Sequence, residues 1–142
     1  MRNRDGTPVP PVDHVREAAH RLGRAEGYRL IVLFGSAARG EADAGDLDIA
    51  LLGEAPLDLV AVTNTWTQAV GFQHIDVCDL RRADPLLAML IARDGIPLYE
   101  ASPGEFDRFV SLAVRRYGDT RKLREQEEQQ MMERIERIRS RS

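Results

Sequence analysis

The chain is poor in the residues that build several common classes of protein. It has one cysteine, Cys78, among 142 residues, so an internal disulfide is impossible and a cysteine-rich zinc site is excluded. Its longest uncharged stretch, residues 59–75, contains Thr, Asn, Gln and His and does not suit a membrane span. The first residues are charged and no apolar segment follows them, so no secretory signal is expected. We therefore expect a cytoplasmic protein with no membrane contact.

A basic excess is also missing. The chain has 20 Lys and Arg against 23 Asp and Glu, a net charge of −3. Neutralisation of phosphates dominates nucleic-acid affinity, so nucleic-acid-binding domains are usually strongly basic. Direct nucleic-acid binding is therefore not expected. Hydrophobic residues at 43% and charged residues at 30% are typical of a globular protein, and the length suits one domain with its own core.

The periodicity of apolar residues predicts short strands among amphipathic helices, the pattern of an α+β fold. The predicted strands are residues 28–34, 46–52, 73–80 and 96–100, the last being an edge strand that tolerates a proline. The first helix is expected from Asp13, as N-cap, to Gly27. Later helices are expected at 59–70, at 85–93 after an Asp84 cap, and from a capping box at 102–105.

Three regions are expected along the chain. Residues 1–11, with three prolines and a glycine, form a flexible leader, residues 12–101 a core, and residues 102–142 C-terminal helices. A break is expected at 118–120, followed by a last helix with only a sparse apolar stripe among alternating charges. Two interpretations of this helix stay open: a solvated helix with ion pairs, or a surface that docks a partner.

A buried strand runs directly into a turn of small residues that suits phosphate binding. Gly35 and Ser36 follow the apolar run, and Arg39 and Gly40 close the turn. Glycine lets backbone N–H groups approach a phosphate closely. The Ser36 hydroxyl and the Arg39 guanidinium can add hydrogen bonds to phosphate oxygens, although a structural surface role for Arg39 is an alternative.

The next strand carries two carboxylates on one face. Asp46 and Asp48 are two residues apart, so their side chains point the same way. Like charges this close repel each other, and divalent cations such as Mg²⁺ remove that repulsion. Asp76 in the third strand can supply a further carboxylate, with Asp79 as its less favoured competitor. Three carboxylates beside a phosphate-binding turn predict a two-metal phosphoryl or nucleotidyl transfer site.

These residues resemble the active-site signature of the DNA polymerase β-type nucleotidyltransferase superfamily, in particular its minimal nucleotidyltransferase (MNT) branch. The resemblance covers about residues 12–100. The family pattern is matched by Gly35, Ser36, Arg39, Gly40, Asp46, Asp48 and Asp76. One departure is Gly45, where the family often has serine, so the loop into the strand is expected to be more flexible. The resemblance implies a small mixed sheet flanked by helices, with a C-terminal helical extension.

The resemblance also implies a function. Stand-alone MNT proteins of this size are similar to the antitoxins of HEPN/MNT toxin–antitoxin pairs, a type VII-like system. In that family the MNT protein uses ATP to attach AMP to a tyrosine of the HEPN ribonuclease toxin. In this chain we expect Asp46 and Asp48 to hold two Mg²⁺ ions, with Asp76 binding one of them. No Arg-x(4–6)-His motif of the toxin occurs in this chain. Two alternatives stay open: an antitoxin that acts by binding alone, or a nucleotidyltransferase with a small-molecule acceptor of the aminoglycoside type.

Overall fold

The computed structural model describes residues 6–41 and 45–140, in which a four-stranded mixed sheet carries the fold. The strands are β1 (Leu30–Phe34), β2 (Leu47–Leu52), β3 (Ile75–Asp79) and β4 (Ile96–Glu100). Their order is β3-β2-β1-β4. β1 pairs antiparallel with both β2 and β4, while β2 and β3 are parallel. The predicted α+β class, the mixed sheet and the edge position of β4 are confirmed.

Helices cover both faces of the sheet. They are α1 (Val12–Glu26), α2 (Gly35–Ala38), α3 (Leu59–Val70), α4 (Pro85–Asp94), α5 (Glu105–Asp119) and α6 (Arg121–Ser140). Side chains alternate between the two faces along each strand. α1 and α3 pack on the face formed by Leu33, Ile49 and Val77. α4 and α5 pack on the opposite face, where Val32 and Ala50 lie.

Two predicted helix starts differ from the structure. α1 begins at Val12 with Pro11 as N-cap, so Asp13 lies in the first turn and does not cap it. The expected capping box at 102–105 does not form, because α5 begins at Glu105 and its N-cap is Gly104 in a left-handed conformation, φ 89°. Gly104 has no side chain that could accept a hydrogen bond from the first turn of α5. The Glu105 carboxylate accepts hydrogen bonds from Arg29, Arg108 and Ser102. The Asp84 cap of α4 forms as expected, with Asp84 accepting from the Leu87 N–H at 2.8 Å.

The C-terminal helices differ from each other in their packing. α5 buries Ala113 against the sheet-facing helix α4, with Phe109 half-buried beside it. The predicted break occurs at Thr120, and α6 then extends with no buried residue over its length. The division of the chain at residue 101 stays a prediction, and the predicted leader falls partly outside the described residues.

None of the helices in the described ranges is both long and apolar enough to cross a bilayer.

Candidate functional site

The turn after β1 is one turn of helix, not the loop that we expected from its small residues. Gly35 to Ala38 form α2 directly after Phe34. Gly35 has φ 74°, a conformation that side chains disfavour. A Cβ atom on Gly35 would overlap the Asp48 carboxylate oxygen Oδ2. Two features therefore require glycine at position 35: the positive φ and the closeness of the Asp48 carboxylate.

Arg39 and Gly40 follow α2 at the surface. The Arg39 guanidinium pairs with Glu41 at 2.9 Å, and this hydrogen bond raises the pKa of Arg39. The positive charge of Arg39 also acts on Asp48, where it opposes a rise in pKa. Gly40 has φ 71° with open space around it. Residues 42–44, part of the predicted loop, lie outside the described residues.

Strand pairing brings two of the predicted carboxylates side by side. Asp48 of β2 lies opposite Asp76 of the parallel strand β3, and opposite Phe34 of β1 on its other side. Burial raises the pKa of Asp48, and the negative charges of Asp76 and Asp46 raise it further. Asp48 is half-buried while Asp76 is exposed. The charge of Arg39 is too weak to offset burial and the two neighbouring carboxylates, so the pKa of Asp48 stays raised.

Asp46 completes the group from just outside the sheet. It is exposed and precedes the first residue of β2, Leu47, whose N–H donates to the His74 carbonyl at 2.9 Å. Across residues 6–41 and 45–140, no three His, Cys, Asp or Glu side chains are already gathered tightly enough to hold a metal ion. Carboxylate oxygens suit Mg²⁺, and a cation would relieve the repulsion that raises the pKa of Asp48. The donor set therefore fits the expected ion.

Asp79, the competitor for the third carboxylate, has a structural position. It is 3% exposed and lies on the sheet face opposite Asp76. Its Oδ2 accepts from the Leu57 N–H at 3.1 Å and its Oδ1 from the Arg81 N–H at 3.0 Å. These bonds hold the loops that follow β2 and β3, which favours Asp76 as the third carboxylate of the site.

The end of α4 is a neighbour of the site that we did not expect. Arg93 forms a two-pronged ion pair with Asp94, at 3.0 and 2.8 Å. The hydrogen bond from Arg93 lowers the pKa of Asp94, and the charge of Arg39 lowers it further. Arg39 and Asp94 are far apart in the sequence, and only the packing of α4 over the sheet brings them together. No periodicity or spacing in the sequence predicts the proximity of Arg39 and Asp94.

Comparison with known proteins identifies the family. The family model "Polymerase beta, Nucleotidyltransferase" matches residues 19–104. Protein adenylyltransferase MntA of Aphanizomenon flos-aquae (strain 2012/KM1/D3) is 31% identical over 115 residues, which cover 71% of this chain and 77% of that protein. The match includes the segment from Gly35 to Asp76 in the family model, so the resemblance drawn from the motif is confirmed.

Solved structures share the fold. A chain of a toxin–antitoxin complex with AMP-PNP has a TM-score of 0.70 at 24% identity, covering 82% of this chain and 98% of that one. A chain of the complex of tri-AMPylated Shewanella oneidensis HEPN toxin with MNT antitoxin has a TM-score of 0.69 at 22% identity, covering 86% and 99%. At these identities the likeness demonstrates a common fold. Because the family model spans more than half of the chain and MntA matches over two thirds of both sequences, the chain belongs to the polymerase beta nucleotidyltransferase family and is homologous to the protein adenylyltransferase MntA.

Proposed function

We propose that this chain is an antitoxin that transfers AMP from ATP to a tyrosine of a HEPN ribonuclease toxin and thereby blocks that toxin. The observation that carries the proposal is the adjacency of Asp48, Asp76 and Gly35 in a homologue of a protein adenylyltransferase. A purely passive binding protein would have no use for a half-buried carboxylate flanked by two others. The location that fits this activity is the cytoplasm, where ATP and the toxin's RNA targets are found.

The nucleotide triphosphate is held on the turn from Gly35 to Gly40. Ser36 lies in the first turn of α2, where backbone N–H groups have no partner within the helix. These groups and the Ser36 hydroxyl donate to phosphate oxygens, while Arg39 exchanges its Glu41 partner for a phosphate. The absence of a side chain at Gly35 lets the phosphates approach Asp48 without obstruction.

Asp46, Asp48 and Asp76 would hold the Mg²⁺ ions, and we propose two of them. Bound there, Mg²⁺ neutralises charge on the triphosphate and on the leaving pyrophosphate. The three carboxylates lie close together. Burial, and then the negative charges of Asp76 and Asp46, raise the pKa of Asp48, and a bound cation would stabilise its ionised form.

The transfer itself is an in-line substitution at phosphorus. The acceptor tyrosine oxygen forms a bond to the α-phosphorus, and the bond from this phosphorus to the bridging oxygen of pyrophosphate breaks. The tyrosine proton passes to the Asp76 carboxylate, which is exposed and so can be reached from solvent or by an acceptor. The residues act mainly by positioning, because alignment of the two reactants removes much of the entropic barrier.

The direct test is the intact mass of the partner protein. The product of the neighbouring gene, expected to be a HEPN protein, is incubated with this chain, ATP and Mg²⁺, and its mass is measured. We expect gains in steps of one adenylyl group, and the number of steps gives the number of AMP units transferred.

The control is the double variant Asp46→Asn and Asp48→Asn, which keeps the side-chain volumes and removes two negative charges. We expect no mass gain with this variant. An unmodified partner that still forms a tight complex with the unchanged chain would overturn the catalytic proposal in favour of binding alone. No gain and no complex would point to a small-molecule acceptor.

A further inference from the structure

A cavity lies on the face of the sheet that α5 covers. It is at the end of β2 that is far from Asp48. It has a volume of about 370 Å³ and is walled by Leu52, the last residue of β2, and by α5. Leu52 lies four positions after Asp48, a distance of about 13 Å along a strand. The cavity is therefore separate from the carboxylates but on the same side of the sheet.

Four arginines and one glutamate line this cavity, which we call the arginine pocket. The glutamate, Glu105, is already neutralised. Arg29 pairs with its Oε2 at 3.3 Å and Arg108 with its Oε1 at 3.1 Å. Two of the four guanidinium groups thus have a carboxylate partner within the chain.

Among the described residues, the other two guanidinium groups, those of Arg81 and Arg116, bond to backbone carbonyls and to no side chain. Arg81 donates from Nε and Nη2 to the Gly53 oxygen at 3.1 and 2.8 Å. Arg116 donates to the Ala83 oxygen at 3.3 Å. In the part of the chain that the structure describes, no carboxylate lies within 4.0 Å of either group. Their charges are therefore available to an incoming anion.

The rest of the pocket is apolar. Leu52 and Phe109 contribute to its wall, and Leu112 on its rim is 48% exposed. Among the described residues no amide or hydroxyl side chain lines the cavity, so its polar side chains are the four arginines and the neutralised Glu105. Guanidinium forks beside an aliphatic wall suit carboxylates that accompany an apolar side chain, as in an acidic peptide segment.

We propose that the arginine pocket docks an acidic segment of the protein substrate. Carboxylates of this segment pair with Arg81 and Arg116, and a neighbouring apolar side chain packs on Phe109 and Leu112. The inference rests on the proposed function, because it supplies a second contact for the protein that receives AMP. Docking at one end of the sheet raises the effective concentration of the acceptor at the other end.

The test measures initial rates of AMP transfer against partner concentration. In the variant with both Arg81→Glu and Arg116→Glu, the KM for the partner is expected to rise about tenfold or more, while kcat stays within about twofold. The KM for ATP should not change. Leu112→Asp is a second variant, because this half-exposed side chain can be replaced with little risk to folding, and it should raise the same KM.

Arg24→Glu is the matched control. Arg24 is an exposed residue in the last turn of α1, on the other face of the sheet, so its reversal brings half the charge change of the double pocket variant without touching the pocket. An unchanged KM in Leu112→Asp, or an equal rise in Arg24→Glu, would overturn the proposal. Sedimentation of the chain alone provides a further readout: a dimer that dissociates only in the pocket variants would make the pocket an interface between two copies and also overturn it.

A failure of the proposed AMP transfer gives a different experimental result from a failure of docking at the pocket. If the partner binds the unchanged chain but gains no mass, AMP transfer is absent. The dissociation constants of the partner with the same variants then test whether the arginine pocket docks it. A dissociation constant about tenfold larger in the pocket variants than in Arg24→Glu supports docking. Equal constants contradict it, as does a partner that does not bind at all.

Discussion

The Asp48 carboxylate lies directly against Gly35 at the end of β1. Asp48 occupies the position that a Cβ atom on Gly35 would need, and its ionised form is disfavoured by burial and by Asp76 and Asp46. Since its pKa is higher in the folded chain, ionisation of Asp48 lowers the stability as the pH rises through that pKa. Below the pKa of the unfolded chain, where the carboxyl is protonated in both states, the penalty is absent. Such a penalty is typical of a site that binds a cation.

Gly35→Ala should damage both the fold and the transfer reaction. The added methyl group must adopt a positive φ and also displace the Asp48 carboxylate, so we expect a loss of about 2–3 kcal/mol in the free energy of unfolding. AMP transfer should fall more than about tenfold, because a small displacement of a reacting group is costly. Urea unfolding and initial rates measure the two effects.

Gly40→Ala is the control for this change. Gly40 has nearly the same φ, 71°, but nothing lies within 4 Å of its added Cβ. We expect it to cost only about 1 kcal/mol, the price of the backbone angle alone. If the two variants lose the same stability, the overlap with Asp48 has no role in the fold.

At the scale of the element, the start of α5 depends on Glu105. This side chain is almost fully buried although it carries a charge. Burial alone would raise its pKa, but hydrogen bonds from Arg108 and Ser102, together with the charge of Arg29, outweigh burial and lower it. The ion pair with Arg29 joins the first turn of α5 to the residue just before β1. The helix that walls the arginine pocket is thus attached to the sheet by a carboxylate rather than by a capping box.

Glu105→Gln should make the chain less stable at neutral pH by about 1–2 kcal/mol, because the charge-assisted hydrogen bonds from Arg29, Arg108 and Ser102 are weakened. A carboxylate with a lowered pKa contributes stability above its unfolded pKa, about 4.3, and loses it as the pH falls through its folded pKa. The difference between the two chains should therefore shrink in acid. Thermal unfolding at pH 7 and pH 3 measures it.

Asp107→Asn provides the comparison, since Asp107 is an exposed acid in the same first turn of α5. It should change the stability at pH 7 by less than about 0.5 kcal/mol, as is usual for surface positions. A loss as large as that of Glu105→Gln would mean that charge at the helix start, rather than the buried ion pair, stabilises α5.

At the scale of the whole molecule, the first turn of α6 is attached to the end of α5. Arg124 stacks over the Tyr117 ring at 3.8 Å and bonds to the Thr120 hydroxyl at 3.0 Å. Beyond this point the helix buries nothing, and it presents exposed apolar side chains. These are Met131, Met132, Ile135 and Ile138. The two interpretations of the sparse stripe, a solvated helix or a docking surface, both fit a helix that buries none of its residues.

A chain that ends after residue 126 should unfold at nearly the same temperature as the full chain, within about 2 °C, because few contacts are lost. Its helical circular dichroism should fall in proportion to the residues removed. A chain that ends after residue 104 is the control: it loses α5, with Phe109 and Ala113, and should lose at least about 3 kcal/mol. A large fall in melting temperature for the first truncation would show that α6 stabilises the core.

Much of this protein could be predicted from local patterns. The strands, the order of most helices and the motif residues follow from apolar periodicity and from residue types a few positions apart. The predictions that were wrong depend on small energy differences at helix ends. Pro11 replaces Asp13 as the cap of α1, Gly104 replaces the capping box of α5, and residues 35–38 form a helical turn. Several conformations of a short segment are close in energy, so packing decides among them.

The sequence by itself determined that Asp46 and Asp48 lie on one side of their strand, that a glycine turn follows β1, and that the chain belongs to a nucleotidyltransferase family. These properties are local, because the alternation of side chains and the φ of glycine depend on neighbouring residues alone. Only the tertiary structure decided that Asp76 lies beside Asp48, that Asp94 approaches Arg39, and that four arginines share one pocket. Strand pairing and helix packing join residues distant in sequence, and their register results from burying all apolar faces at once.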